Sequence, residues 1–120
     1  MYFFDTYAIF ELIKNNQNYN KYKGFILKVS VLNIAELYWG LIKDVGVKQA
    51  DEWMQKYEFD ILSVDYETIL TAVSFRYEHK KLDISLTDSV GYILAKKYRL
   101  KFLTGDKQFE NFDNVEFVQK

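Results

Sequence analysis

The chain has 120 residues and a mass of 14.4 kDa, which predicts one compact domain spanning residues 1–120. Apolar residues make up 49% of it and include ten tyrosines, ten phenylalanines and two tryptophans, so a disordered tail and a coiled coil are excluded. There is no cysteine and one histidine, His79, which excludes a disulfide scaffold, a thiolate zinc site and a histidine-rich metal site. The net charge of −1 is not that of a protein that coats duplex nucleic acid.

Neither the amino-terminal segment nor the apolar runs of the chain indicate membrane association. No apolar run approaches the roughly 20 residues of a membrane span. Residues 1–10 lack a basic region and contain the acid Asp5, unlike a secretory signal. We therefore expect a soluble, cytoplasmic protein.

Short β-rich runs alternate with helical segments along the chain. The apolar run that ends at Asp5 leads into a helix over residues 6–16, and a polar loop follows up to Gly24. Further elements are predicted in chain order: strands over 25–31, 59–64, 101–104 and 115–119, and helices over 33–44, 47–57, 65–80 and 85–99. This alternation predicts an α/β domain with a mainly parallel sheet.

Four acidic residues lie where ligands bind in such sheets, outside the carboxyl ends of the strands. Asp5 closes the first strand, and Asp106 comes two residues after Thr104, which ends the fourth. Glu36 and Asp88 lie near the starts of helices that leave the same edge of the sheet. If strands one, two and four are neighbours, the four carboxylates can meet in one pocket.

Carboxylates gathered in a partly dry pocket repel one another, and a hard divalent cation offsets that repulsion. Oxygen ligands without histidine or cysteine suit Mg²⁺ or Mn²⁺ and suit zinc poorly. Such an ion can deprotonate water and neutralise charge on a phosphodiester. Each acid also has a structural interpretation: Asp5 as a helix N-cap, Glu36 as a solvated helix residue, Asp88 in a capping box and Asp106 in a turn. Only their joint placement indicates a site.

The segments around these acids resemble those of a known family. They are, in order, FFDT (residues 3–6), AELYWG (35–40), SLTDSVGYILA (85–95) and FLTGDKQF (102–109). Together they cover nearly the whole chain and resemble a PIN domain, and within that superfamily the small VapC-type toxin ribonucleases.

The resemblance implies a three-layer α/β/α sandwich with a mainly parallel sheet of four to five strands. It implies a metal-dependent endoribonuclease that acts on RNA, forms a homodimer and is inhibited by a cognate antitoxin. It assigns four acids to a Mg²⁺ (or Mn²⁺) site as ligands and catalytic groups, and two hydroxyls as their supports: Asp5, Glu36, Asp88 and Asp106, with Thr6 and Thr104. Hydrolysis by metal-activated water would leave 5′-phosphate and 3′-hydroxyl ends.

Basic residues cluster in sequence shortly before and after Asp106. A rim of such cations could hold a single strand through its phosphates. Lysines at the end of a helix also complement its dipole, so a solvated helix end is the alternative. The residues are Lys96, Lys97, Arg99, Lys101 and Lys107.

Two other functions remain open from the sequence. A phospho-receiver domain also has about this length and an acidic magnesium pocket, with Asp65 as phosphate acceptor and Thr104 as the switch hydroxyl. Against it, the first strand ends in a single acid and the chain contains no proline for a Lys-Pro after a late strand. The second alternative is a PIN fold that serves as a non-catalytic binding scaffold, and four intact acids argue against it.

Overall fold

The computed structural model describes residues 1–120, which form a five-stranded sheet covered by helices. All strands are parallel, in the order β3-β2-β1-β4-β5. The strands are β1 (Tyr2–Phe4), β2 (Leu27–Val29), β3 (Phe59–Ile61), β4 (Lys101–Thr104) and β5 (Val115–Phe117). The helices are α1 (Thr6–Ile13), α2 (Val31–Lys56), α3 (Tyr66–Glu78) and α4 (Leu86–Lys97).

Alternate side chains of the central strands enter two separate cores. Phe4 of β1 and Leu103 of β4 pack in a cluster with residues of α1 and α2. Their neighbours Phe3 and Phe102 pack on the other face, in a cluster with residues of α3 and α4. Because successive strand residues point to opposite faces, this pattern confirms a sheet between two helical layers. The predicted three-layer α/β/α fold is therefore correct.

The range α2 (Val31–Lys56) contains the two helices expected over residues 33–44 and 47–57. It is interrupted at Gly46, whose φ of 84° and ψ of 167° are not helical. Glycine alone adopts this region readily, so the sequence break at Gly46 is a real kink. The polar loop before Gly24 contains a 3₁₀ helix at Gln17–Tyr22, and β2 and β3 are shorter than predicted.

The strand order places β1 between β2 and β4, as the predicted site requires. The carboxyl ends of these parallel strands open onto one edge of the sheet, where Asp5, Ser30 and Gly105 follow β1, β2 and β4. We call this the carboxyl edge, and the opposite side of the sheet the amino edge. No helix of the chain is long and apolar enough to cross a membrane.

Candidate metal and active site

The four predicted acids come together at the carboxyl edge, around Asp5. Asp5 is 2% exposed, and burial raises its pKa well above the ordinary carboxyl value. The negative charges of Asp88, Asp106 and Glu36 raise that pKa further, whereas a hydrogen bond from Thr104 opposes the shift. Four carboxylates from four parts of the chain therefore act on one another here.

Asp5 does not act as a side-chain N-cap of α1, which was its structural interpretation from the sequence. Asp5 occupies the N-cap position of α1, yet its side chain makes no capping hydrogen bond. Instead its Oδ2 accepts a hydrogen bond of 2.7 Å from the hydroxyl of Thr104. A buried carboxylate that caps nothing, and has no cation beside it, destabilises the fold unless a ligand compensates its charge.

Thr104, the last residue of β4, connects two of the acids. It is fully buried, and its Oγ1 donates to Asp5 and accepts the backbone N–H of Asp106 at 3.0 Å. One hydroxyl thus fixes both the Asp5 carboxylate and the backbone that carries Asp106. Thr104 thus contacts both Asp5 and the Asp106 backbone, and its supporting role stays a prediction.

Glu36 is held by a chain of buried hydrogen bonds that crosses from α1 to α2. The Thr6 hydroxyl donates to Oε1 of Glu36 at 2.9 Å and accepts Nδ2 of Asn33 at 3.0 Å. Oδ1 of Asn33 accepts the backbone N–H and the hydroxyl of Ser30, both at 2.9 Å. Glu36 is therefore directed toward the other acids and is half-buried, unlike a freely solvated helix residue.

Asp88 and Asp106 serve as helix caps and face the site at the same time. Asp88 accepts the Ser85 backbone N–H in a capping box that opens α4, as its sequence pattern predicts. Asp106 accepts the backbone N–H of Gln108 at 3.0 Å at the start of a 3₁₀ turn. Burial raises the pKa of Asp88, and the charges of Glu36 and Asp106 add to that effect, against the Ser85 hydrogen bonds. Capping thus accounts for the position of these carboxylates without neutralising them.

The donor set of this site fits a hard divalent cation. None of the four acids takes part in an ion pair, although four lysines of the chain pair with other acids. Carboxylate oxygens are the ligands that Mg²⁺ and Mn²⁺ prefer. The negative charge of the four acids is not compensated by any cation of the chain, so a bound divalent cation would be favourable. In their present positions no three acidic or histidine side chains are arranged to hold one ion together. The fit therefore rests on donor chemistry and uncompensated charge.

The basic cluster expected near Asp106 is not gathered there. Lys96 and Lys97 end α4, about 12 Å along the helix axis from Asp88 in its first turn. Arg99 and Lys101 follow at the amino edge and line a surface depression together with Lys96. Because the whole of β4 separates these residues from Asp106, closeness in sequence is not closeness in space.

Only Lys107 of the five lies beside the acids, where it lines a cavity together with Asp106. Two of the other basic residues form ion pairs with acids outside the site: Lys96 with Asp113 at 3.2 Å and Lys97 with Asp65 at 2.8 Å. The expectation of a five-residue basic rim at the site is therefore wrong for four of its members.

Asp65, the acceptor required by a phospho-receiver, lies outside the acidic cluster. It caps α3 through the backbone N–H of Thr68 at 2.8 Å and pairs with Lys97. These contacts hold the pKa of Asp65 below its usual range, and Asp65 is not among the charges that act on Asp5. The receiver arrangement is absent.

Two buried polar residues of the site were not predicted from the sequence. Ser30 and Asn33 orient Glu36 through Thr6 and form a capping box at the start of α2. Their spacing of three residues, directly after a strand, is the signal that could have found them. It was missed because Asn replaces the usual Glu or Gln at the third helical position.

Comparison with known proteins supports the same fold. The family model of the PIN domain matches residues 2–115. No curated protein sequence matches the chain.

Solved structures with the same fold include chains of toxin–antitoxin complexes. A toxin–antitoxin complex from Klebsiella pneumoniae matches with a TM-score of 0.73 and 18% identity, over 97% of this chain and 96% of that chain. VapBC2 from Rickettsia felis, bound to a promoter DNA fragment, matches with a TM-score of 0.75 and 18% identity, over 98% of both chains. DNA-bound VapBC from Salmonella typhimurium matches with a TM-score of 0.74 and 17% identity, over 98% and 97%. At this identity the similarity shows the fold.

The raised pKa of Asp5 predicts how its replacement changes stability with pH. The folded chain holds the Asp5 proton more tightly than the unfolded chain, so this group costs stability as pH rises through the raised pKa. In EDTA, Asp5→Asn should therefore unfold at a higher temperature than the wild type near pH 7 to 8, and the gain should shrink toward about pH 4. Thermal unfolding across that range measures it.

The matched control is Asp44→Asn, because Asp44 is exposed on α2 and makes no ion pair or side-chain hydrogen bond. It should not reproduce the pH-dependent gain. A destabilised Asp5→Asn protein at pH 8 would contradict the claim that the ionised carboxylate is uncompensated.

Proposed function

Because the chain belongs to the PIN domain family, we propose that it is a metal-dependent endoribonuclease and the toxin of a toxin–antitoxin pair. The observation that carries this proposal is the buried Asp5 carboxylate, surrounded by three further acids and without a cation partner. Such a site is suited to phosphodiester hydrolysis, because bound metal supplies both an activated water and positive charge for the phosphate.

Six residues fill three kinds of role in this proposal. Asp5, Asp88 and Asp106 would hold Mg²⁺ or Mn²⁺ through carboxylate oxygens. Glu36 would complete the ligands or accept a proton from the attacking water, in the orientation that its hydrogen bond from Thr6 gives it. Thr6 and Thr104 act as positioning residues, since each hydroxyl donates to one of the acids.

Water attacks phosphorus in this scheme, and the bond from phosphorus to the 3′ oxygen breaks. The products are therefore a 5′-phosphate and a 3′-hydroxyl. The 2′-hydroxyl of RNA takes no part in the reaction, so cyclic phosphate ends would exclude this mechanism. The competing function is a non-catalytic PIN scaffold, which would bind metal and partners without cutting RNA.

The antitoxin partner is supported by the neighbouring structures. Each of the three described above is a complex of a toxin with its antitoxin, and this chain matches almost the whole length of the aligned chain. We propose an antitoxin protein that blocks access to the carboxyl edge.

A homodimer is supported by an exposed apolar stripe on α3. Tyr66, Leu70, Val73 and Tyr77 recur at helical spacing and are 77%, 50%, 49% and 68% exposed. Large apolar side chains in one contiguous line on a small protein mark an interaction surface.

The order of residues along this stripe is self-complementary, so the stripe can pack against the same stripe of a second copy of the chain. Two α3 helices packed antiparallel about a two-fold axis would set each tyrosine against a tyrosine and each aliphatic residue against an aliphatic one. We therefore propose that α3 forms the homodimer interface.

Cleavage of RNA is the first test of this function. Purified protein with Mg²⁺ or Mn²⁺ should cut single-stranded RNA and leave 5′-phosphate and 3′-hydroxyl ends, and EDTA should abolish cutting. Asp5→Asn and Asp106→Asn should each lower the rate at least about 100-fold, because each removes a charged metal ligand. End-labelled RNA resolved on denaturing gels measures both rate and product ends.

Asp44→Asn serves again as the matched control and should cut like the wild type. Absence of cutting on several single-stranded and hairpin RNAs, in a protein that still binds metal, would favour the scaffold. Cutting that survives both Asp5→Asn and Asp106→Asn would show a contaminant or a different site.

Metal binding has a readout that does not depend on activity. Mg²⁺ at ten times its dissociation constant should stabilise the wild type by about 1.4 kcal/mol, because it binds the folded chain alone. The gain should be much smaller in Asp88→Asn, where one of the three proposed ligands loses its charge. Thermal unfolding with and without Mg²⁺ measures both gains, and equal gains would remove Asp88 from the site.

The dimer is tested by placing a charge in the centre of the α3 stripe. Leu70→Asp should yield a monomer at concentrations where the wild type is a dimer, because a buried unpaired carboxylate costs several kcal/mol at the interface. Val47→Asp is the matched control, since Val47 is 56% exposed but lies on α2. Sedimentation equilibrium gives the mass, and a wild-type monomer or a dimeric Leu70→Asp protein would disprove this interface.

A further inference from the structure

A cavity of about 560 Å³ adjoins the acidic cluster and has no role in the site described so far. Asp106 forms part of its wall, together with the aromatic residues Tyr7 and Phe117 and the basic residues Lys107 and Lys120. One wall thus belongs to the proposed metal site, and the rest combines aromatic rings with positive charge.

The Tyr7 ring is packed against the backbone at the floor of this cavity. A Cβ atom on Gly105 would overlap Cε1 of Tyr7 and lie 2.6 Å from the carbonyl oxygen of Val118. Gly105 has no positive φ, so glycine is required here for space. Its missing side chain lets the ring lie directly beside Asp106.

Tyr7 is also fixed relative to Asp5, because it follows Asp5 and Thr6 in the first turn of α1. Its ring is half-buried, and its hydroxyl makes no hydrogen bond within the protein. A flat, half-buried aromatic surface therefore lies next to the acids.

The cations of this cavity are available for an anionic ligand. Lys107 and Lys120 are exposed and form no ion pair, whereas Lys96 and Lys97 at the amino edge are both paired. Aromatic rings that stack bases, combined with lysines that contact phosphates, are how proteins bind single-stranded nucleic acid.

We propose that this cavity binds the nucleotide adjacent to the cleaved phosphodiester, with its base stacked on Tyr7 and its outer phosphate on Lys107. The proposal rests on the proposed function and adds to it a subsite for one nucleotide. Since Asp106 belongs to both the cavity and the proposed metal site, a base bound in the cavity brings the neighbouring phosphodiester to the acids.

The test measures binding of RNA in a background that does not cut it. Asp5→Asn protein is titrated into fluorescein-labelled oligoadenylate of about twelve nucleotides, within the length that one small domain covers, and anisotropy is followed at several KCl concentrations. Adding Tyr7→Leu should weaken binding at least about fivefold through lost stacking, whereas Tyr7→Phe should bind like the background. The Phe variant retains the ring on Gly105, so the comparison separates stacking from a folding defect.

Lys107→Met should lower the slope of log affinity against log salt by about 0.7, the loss of one phosphate contact to a single strand. The matched controls are Tyr98→Leu, directly after α4, and Lys101→Met at the amino edge, both exposed and outside the cavity lining. Both should leave affinity and salt slope unchanged.

Three outcomes would overturn the subsite. Binding unaffected by Tyr7→Leu would remove the base from the cavity, and a salt slope changed by Lys101→Met but not by Lys107→Met would place the strand at the amino edge. Absence of any RNA binding would overturn the subsite even if the protein cuts RNA. Cleavage data separate that result from failure of the proposed function, since tight binding without cutting would retain the subsite and exclude the nuclease.

Discussion

The rest of the structure is arranged around one unfavourable group, the buried carboxylate of Asp5 among three others. It lies at the end of the central strand with 2% exposure, and no lysine or arginine pairs with it or with its acidic neighbours. The two apolar cores on either face of the sheet must offset this cost. A fold that retains such a group without a cation partner keeps a place where positive charge binds favourably.

Helix starts offset part of the repulsion before any ligand binds. Asp5 lies at the start of α1, Asp88 in the first turn of α4 and Asp106 at the start of a 3₁₀ turn. The partial positive charge of an α-helix N-terminus stabilises a nearby carboxylate by about 0.3–1 kcal/mol, and by up to about 2 kcal/mol when partly buried. These starts all lie at the carboxyl edge: α1 and the 3₁₀ turn follow β1 and β4, and α4 follows α3 and leads back to the amino end of β4. The fold and the site therefore share one geometric cause.

The sequence was sufficient for the layers, the strand ends and the acids, because each depends on local patterns. Alternating strands and helices predicted the sheet, and Ser85 with Asp88 predicted the start of α4. Helical periodicity favoured a solvated position for Glu36, since the Thr6 hydroxyl that orients it comes from another helix, 30 residues away. The prediction that five basic residues gather near Asp106 was wrong for a related reason. Strand β4 places Lys101 and Thr104 at opposite edges of the sheet. The orientation of Glu36 depends on a long-range contact, and the position of the basic residues depends on strand direction. Local sequence patterns predict neither.

If the proposed function is correct, the distribution of charge limits how a nucleic acid strand is recognised at the carboxyl edge. Four acids face an incoming phosphate there, and only Lys107 and Lys120 line the adjoining cavity. Phosphate neutralisation by so few cations supplies little affinity, and the acids repel the strand until metal is bound. In the proposed nuclease, affinity at this edge would therefore come from bound metal and from stacking on aromatic rings, both of which act at short range. Under this proposal, recognition would depend on the shape and stacking of the bases near the cleaved bond more than on the total charge of the strand.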